Sequence, residues 1–101
     1  MPVHSAAKHG VIGLSKGAAL QVATEGIRIN VVCPGRILTP KLRANLAISE
    51  EVHQRMLYDQ PMERFGTPDE VAEGVCFLLS DAAGFITGEA FQINGGNAAL
   101  T

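Results

Sequence analysis

His4 and Lys8 stand four residues apart, one turn of a helix, and are the pair in this sequence best placed to move a proton. An imidazole of ordinary pKa, about 6.5, gives and takes a proton near neutrality. Lys8 adds a cation one turn further on, although alone it reads equally as a solvated helix lysine. A second place for chemistry is the turn Pro34-Gly35, which closes a short apolar run. Open α/β sheets bind ligands outside the carboxyl ends of their strands, and glycine lets a ligand approach the backbone. The plainer alternative is a tight turn in a loop. Cys33 and Cys76 lie in apolar runs without CxxC spacing or paired histidines, so they read as reduced, buried thiols, and no metal site is expected.

These residues need elements to hold them. From Val3 to Thr24 apolar residues recur at Ala7, Val11, Leu14, Ala18 and Val22, the spacing of one helical face. A second stripe, Ala6, Gly10, Gly13 and Gly17, consists only of small residues. Each glycine there lowers helix propensity by up to about 1 kcal/mol relative to alanine. A stripe of this kind either lets a neighbour or ligand come close or is simply tolerated. Gly26 stands at the helix C-cap. The run Ile27-Arg28-Ile29-Asn30-Val31-Val32-Cys33 then reads as a strand, apolar enough to be a parallel strand covered on both faces.

Residues 39 to 66 read as two short helices in an irregular excursion. Thr67-Pro68-Asp69-Glu70 is a strong helix start, with a capping threonine, proline at the first helical position and an acid at the third. That helix is expected to run to about Leu79, burying Val71, Val75, Leu78 and Leu79. Ala90-Phe91-Gln92-Ile93-Asn94 is a last strand, stopped by Gly95-Gly96. The order helix, strand, short helices, helix, strand predicts an α/β fold, the C-terminal part of a Rossmann-like doubly wound parallel sheet. The chain is expected to form a single partial domain over residues 1–101, with 40–66 as the excursion. Two strands leave backbone donors and apolar surface open, and self-association is one way to cover them.

The chain has 101 residues, 47% hydrophobic and 18% charged, with a net charge of −2. That balance offers no basic patch to nucleic acid or an anionic membrane. No apolar run has the length of a membrane span, and the first residues lack the form of a signal peptide, so a cytoplasmic location is expected.

Taken in order, several segments resemble the C-terminal part of the short-chain dehydrogenase/reductase family. They are Ser5-Ala6-Ala7-Lys8, Gly26-Ile27-Arg28-Ile29-Asn30, Pro34-Gly35-x-x-x-Thr39, Arg64-Phe65-Gly66-Thr67-Pro68-Asp69-Glu70-Val71-Ala72, Phe77-Leu78-Leu79-Ser80, Phe85-Ile86-Thr87-Gly88 and Gly95-Gly96. The resemblance implies a dinucleotide-binding sheet and hydride transfer between NAD or NADP and an alcohol or carbonyl. It gives Lys8 the nicotinamide ribose and puts His4 where the family carries its catalytic tyrosine. It further implies that the turn Pro34-Gly35, the backbone at Ile37 and the backbone or hydroxyl of Thr39 hold the cofactor. Residues 40–60 match the family's lid, with Leu42, Leu46, Val52, Met56 and Tyr58 as an apolar wall or as plain packing. His9 and His53 match nothing catalytic and read as surface residues. Asn94 stands where many relatives carry aspartate and is expected to keep a turn.

The sequence holds no glycine-rich strand-to-helix phosphate loop, and the family's catalytic serine and helix asparagine would precede residue 1. Imidazole is also shorter than phenol, and proton transfer depends first on reach. The expectation is therefore a truncated, inactive oxidoreductase segment that binds NAD or NADP poorly. Two alternatives stand beside it. One is a non-catalytic remnant forming a homo-oligomer through the 3–24 helix and the C-terminal helix and strand. The other is a weak nucleotide binder. The substrate and the choice between NAD and NADP are not written in these residues.

Overall fold

The computed structural model describes residues 2–97, which fall into two compact units. The first comprises residues up to Val32 together with Cys76–Phe91, and the second Cys33–Val75 with the residues from Gln92 on. The elements in chain order are α1 (Pro2–Val22), β1 (Val31–Pro34), α2 (Pro40–Leu46), α3 (Glu50–Leu57), α4 (Pro68–Leu79) and β2 (Ala90–Ile93). β1 and β2 pair in parallel, giving the expected α/β class.

In the first unit, α1 runs into a short 3-10 turn, Ala23–Glu25, and stops at Gly26, whose φ of 74° is the left-handed conformation that a helix C-cap needs. The strand starts later than its composition suggests, at Val31 rather than Ile27. Residues 27–30 lie outside the ladder, and mostly side chains hold them. Arg28 donates to the carbonyls of Ile86 and Ser80, each at 3.2 Å. Asn30 donates to the Ile86 carbonyl at 3.0 Å and accepts from the Glu89 amide at 3.0 Å, while the Ile29 amide donates to the Thr87 hydroxyl. The Gly88 amide meets the Ile29 carbonyl at 2.8 Å, and regular pairing begins with Val31 N–H to Glu89 O at 2.9 Å.

The apolar stripes are only partly buried. Ala19, Leu78 and Ala83 are buried in this unit, and Phe77 leans on Phe91 with ring centroids 6.2 Å apart. Ala7, Val11 and Leu14, expected to face a core, are exposed, as are Val75 and Leu79 on α4. A stripe buries itself only where a second surface meets it, and none of the described residues supplies that surface for these side chains. The small stripe is equally open. A Cβ built on Gly10, Gly13 or Gly17 meets nothing within 4 Å. Cys76 is exposed and Cys33 half-buried, so neither is the fully buried thiol expected from its neighbours.

In the second unit, short helices are set by their caps. Thr39 and Ser49 accept through their hydroxyls from the amides of Leu42 and Val52, each at 3.2 Å, opening α2 and α3. α4 opens with the reciprocal pair foreseen from Thr67 and Glu70. The Glu70 amide donates to the Thr67 hydroxyl at 3.1 Å, and the Thr67 amide to the Glu70 carboxylate at 2.9 Å. Phe65 is buried, with the His53 ring stacked on it at 5.6 Å, so His53 is a packing residue rather than a free surface one.

Candidate functional site

His4 and Lys8 sit on the first turns of α1, in the first unit, and both are exposed. Neither forms an ion pair among the described residues. His9, one residue beyond Lys8, folds back on its own helix, its Nδ1–H donating to the Ser5 carbonyl at 2.8 Å.

Pro34, the last residue of β1, and Gly35, Ile37 and Thr39, which follow it, all belong to the second unit. The Gly35 amide is spent on the Ile93 carbonyl at 2.9 Å. Its missing Cβ has a local reason, because an added one would fall 2.7 Å from Asn94 Cβ and 2.8 Å from Asn94 Cα. Only glycine lets β1 end this close to the end of β2. The chain then crosses the Phe65-Gly66 segment. Ile37 bridges to Gly66 in parallel, Gly66 N–H donates to the Arg36 carbonyl at 3.0 Å, and Leu38 N–H to the Gly66 carbonyl at 2.9 Å. A tight turn follows, Thr39 N–H donating to the Ile37 carbonyl at 2.9 Å. The Thr39 amide is thus occupied, whereas the amide of Ile37 meets no acceptor among the described residues. Thr39 Oγ1 accepts from Leu42 and keeps its own hydrogen to donate.

Two residues that sequence reasoning passed over hold this segment. Arg36 is half-buried and donates through Nη1 to the Met56 carbonyl at 2.7 Å and to the Asp59 carboxylate. That hydrogen bond, above all, holds the Asp59 carboxyl below its ordinary value. Gln60 is the one buried polar side chain among the described residues, 4% exposed, and its Nε2 donates to the carbonyls of Asn94 and Gly95 at 3.0 and 3.2 Å. A lone arginine in a proline-glycine turn was the available signal for the first. Gln60, beside Pro61, carried none.

Gln60 lines an open cavity of about 290 Å³ together with Ile37, Met62, Arg64, Glu70 and Gly96. Its charges are already matched. Arg64 grips Glu70 with two nitrogens, at 2.8 and 2.9 Å. This grip first, and the Thr67 amide second, lower the Glu70 pKa to about 2, and the same pair raises that of Arg64. Of the sequence-predicted site residues only Ile37 lines this cavity. The turn at Asn94 is kept as foreseen, its Oδ1 accepting from Gly96 N–H at 3.0 Å.

Residues 1–98 match a family model described as enoyl-(acyl carrier protein) reductase. A solved oxidoreductase of the short chain dehydrogenase/reductase family from Burkholderia thailandensis superposes with a TM-score of 0.86 at 41% identity, over 97% of this chain and 39% of that one. The chain belongs to the short-chain dehydrogenase/reductase family. A curated relative, 2-(S)-hydroxypropyl-CoM dehydrogenase 3 of Xanthobacter autotrophicus, is 41% identical over 103 residues, covering 99% of this chain and 40% of that protein. A 4-hydroxyisoleucine dehydrogenase solved in complex with NADH superposes with a TM-score of 0.85 at 34% identity, over 93% of this chain and 38% of that one. The chain therefore spans about two fifths of the length of such relatives. Like them it is a Rossmann-type α/β protein. Among the described residues no helix is long and apolar enough to cross a membrane.

Proposed function

We propose that this chain is the C-terminal portion of an NAD- or NADP-dependent oxidoreductase that transfers a hydride between the cofactor and an alcohol or carbonyl. The nicotinamide supplies the hydride chemistry when bound, and the residues here hold and orient it. The observation that carries the reading is the unspent Ile37 amide at the carboxyl end of a parallel strand, in a chain matched to the family along its length. An amide carbonyl such as the nicotinamide carboxamide suits that donor. The free hydrogen of Thr39 Oγ1 suits a second acceptor, a phosphate or carboxamide oxygen. Pro34 and Gly35 shape the turn, Lys8 holds the ribose hydroxyls, and residues 40–66 form the lid over the substrate.

Catalysis by this chain alone is not expected. His4 presents an imidazole in place of the family's phenol, with its proton carried on a shorter side chain. The glycine-rich phosphate loop that supplies most of the dinucleotide's grip is missing from these 101 residues, so affinity for NAD or NADP is poor. Fluorescence titration with NADH and NADPH, on a sample of known oligomeric state and repeated with His4→Tyr, tests the reading. The expected result is weak binding and no turnover from either form. Micromolar affinity or appreciable hydride transfer in the tyrosine variant overturns it.

A second reading, a non-catalytic protein that assembles with its own copies in the cytoplasm, is favoured by one observation. Val3, Leu14 and Leu20 on α1 are at least three-quarters exposed, with Phe85 fully so, an uncovered apolar surface on one unit. Light scattering decides it, since a folded monomer at working concentration excludes this reading.

A further inference from the structure

We propose that Arg36 is a positioning residue that ties the end of α3, within the lid, to the cofactor-binding turn. The inference rests on the reading of Ile37 and Thr39 as cofactor contacts and of residues 40–66 as a lid. Arg36 immediately precedes Ile37, the residue with the unspent amide. Its main chain is fixed, because its carbonyl accepts from Gly66 N–H at 3.0 Å and the next residue bridges to Gly66. Its side chain then crosses the excursion to the last turn of α3, where one nitrogen holds the Met56 carbonyl at 2.7 Å and the Asp59 carboxylate. Met56 lies in the final turn of α3, and its carbonyl has no continuing helix above it. Arg36 supplies that missing donor from a turn 20 residues earlier in the chain.

The same end of α3 is held from the other side. Asn97 Nδ2 donates to the Asp59 carbonyl at 3.3 Å, and Gln60 is buried against the Asn94 and Gly95 carbonyls. The helices of the lid are open by comparison. Ile48, Val52 and Tyr58 are exposed, and no side-chain hydrogen bond among the described residues ties α2 to anything beyond its own cap. The two helices of the excursion are therefore fastened on either side, at Ile37–Thr39 before α2 and at Met56–Gln60 at the end of α3. Arg36 is the side chain that joins the two fastenings. A shift of α3 on substrate entry is transmitted to the residue next to Ile37, and occupation of the turn at Ile37 restrains α3.

The two arms differ in strength. The Asp59 carboxylate is half-exposed, and an ion pair of that kind contributes little alone. The charge-assisted bond to the half-buried Met56 carbonyl is the stronger restraint.

Amide hydrogen exchange on the full chain, read by mass spectrometry without cofactor, tests the tether. Arg36→Met is expected to speed exchange across residues 50–60 by about fivefold or more, the effect of losing one charge-assisted hydrogen bond. Exchange across α4, 68–79, is expected to stay within about twofold, because that helix keeps its own cap. Arg36→Lys, which retains a donor and the charge, is expected to recover most of the protection. Asp59→Asn is expected to have the smaller effect of the two arms. Unchanged exchange at 50–60 in Arg36→Met overturns the proposal. So does an equal rise across α4, which marks general destabilisation, and so does a lysine variant no better protected than methionine. The NADH titration of the unsubstituted chain tests the cofactor reading by itself. A chain that binds no NADH yet shows the selective exchange change keeps the tether and loses the reading.

Discussion

Gly35→Ala separates two reasons for a glycine in the proline-glycine turn. If the residue serves only to admit a cofactor, alanine leaves the stability of the ligand-free chain unchanged or slightly raised. Restricting the unfolded chain at a compatible position stabilises by about 0.4–1 kcal/mol. Gly35 is not among the glycines with positive φ, so backbone strain does not oppose the change. What opposes it is space. The added Cβ meets Asn94 Cβ at 2.7 Å and Cα at 2.8 Å, both too close, and one of them is main chain. Asn94 has little room to retreat, since its Oδ1 accepts from Gly96, and its carbonyl accepts from Gln60 and Asn97. Overpacking of this kind destabilises by about 1–3 kcal/mol. Set against the unfolded-state gain, the net loss centres on about 1.3 kcal/mol. With a urea m-value of about 1 kcal/mol/M for a chain of this size, the unfolding midpoint falls by about 1 M. The assay is urea titration followed by far-ultraviolet circular dichroism, without cofactor and at fixed protein concentration. Adding Asn94→Gly removes the side-chain clash but not the main-chain one, and it loses the turn bond to Gly96, so recovery is expected to be partial. A midpoint for Gly35→Ala equal to or above that of the parent refutes the argument.

The other predictions concern the two units separately. Thr67→Ala removes the hydroxyl that caps α4 and is expected to lower stability by about 1 kcal/mol, read from the urea midpoint. Glu70 carries a pKa lowered to about 2, so its stabilising contribution is fully present above the ordinary carboxylate pKa and is lost as pH falls through about 2. Circular dichroism between pH 6 and 2 should therefore show the start of α4 outlasting the protonation of ordinary glutamates, and Glu70→Gln should remove that pH dependence. Arg28→Met removes one donor each from the Ser80 and Ile86 carbonyls and is expected to destabilise by about 1 kcal/mol, since Ser80 keeps its bond from the Ala83 amide and Ile86 its bond from Asn30. Gly13→Ala, where an added Cβ meets nothing within 4 Å, is expected to raise the thermal midpoint through a gain of about 0.8–1 kcal/mol of helix propensity. A fall instead shows that the small face of α1 is covered by another copy in solution.

What the sequence disclosed and what it withheld divide by the reach of the interactions. The start of α4 was legible to the residue, because Thr67 and Glu70 complete each other within one turn, and both of their bonds form. The left-handed stop at Gly26 and the helices opened by Thr39 and Ser49 are local in the same sense. The start of β1 was misplaced by four residues because composition cannot show that Arg28 and Asn30 reach Ser80, Ile86 and Glu89, more than fifty residues on. Periodicity showed that α1 is a helix but not which of its faces would be covered. Ala19, off the predicted stripe, is the residue it buries, while Val11 and Leu14 stay open. The candidate site follows the same rule. Pro34 to Thr39 announced themselves as a contiguous turn after a strand, whereas Arg36 and Gln60 act on carbonyls 20 and 34 residues away and carry no local mark. The turn proposed to hold the cofactor was thus readable from spacing, and the side chains that fix that turn in place were not. Substitutions at Arg36 and Gln60, rather than at the motif itself, are therefore the ones from which this turn has most to reveal.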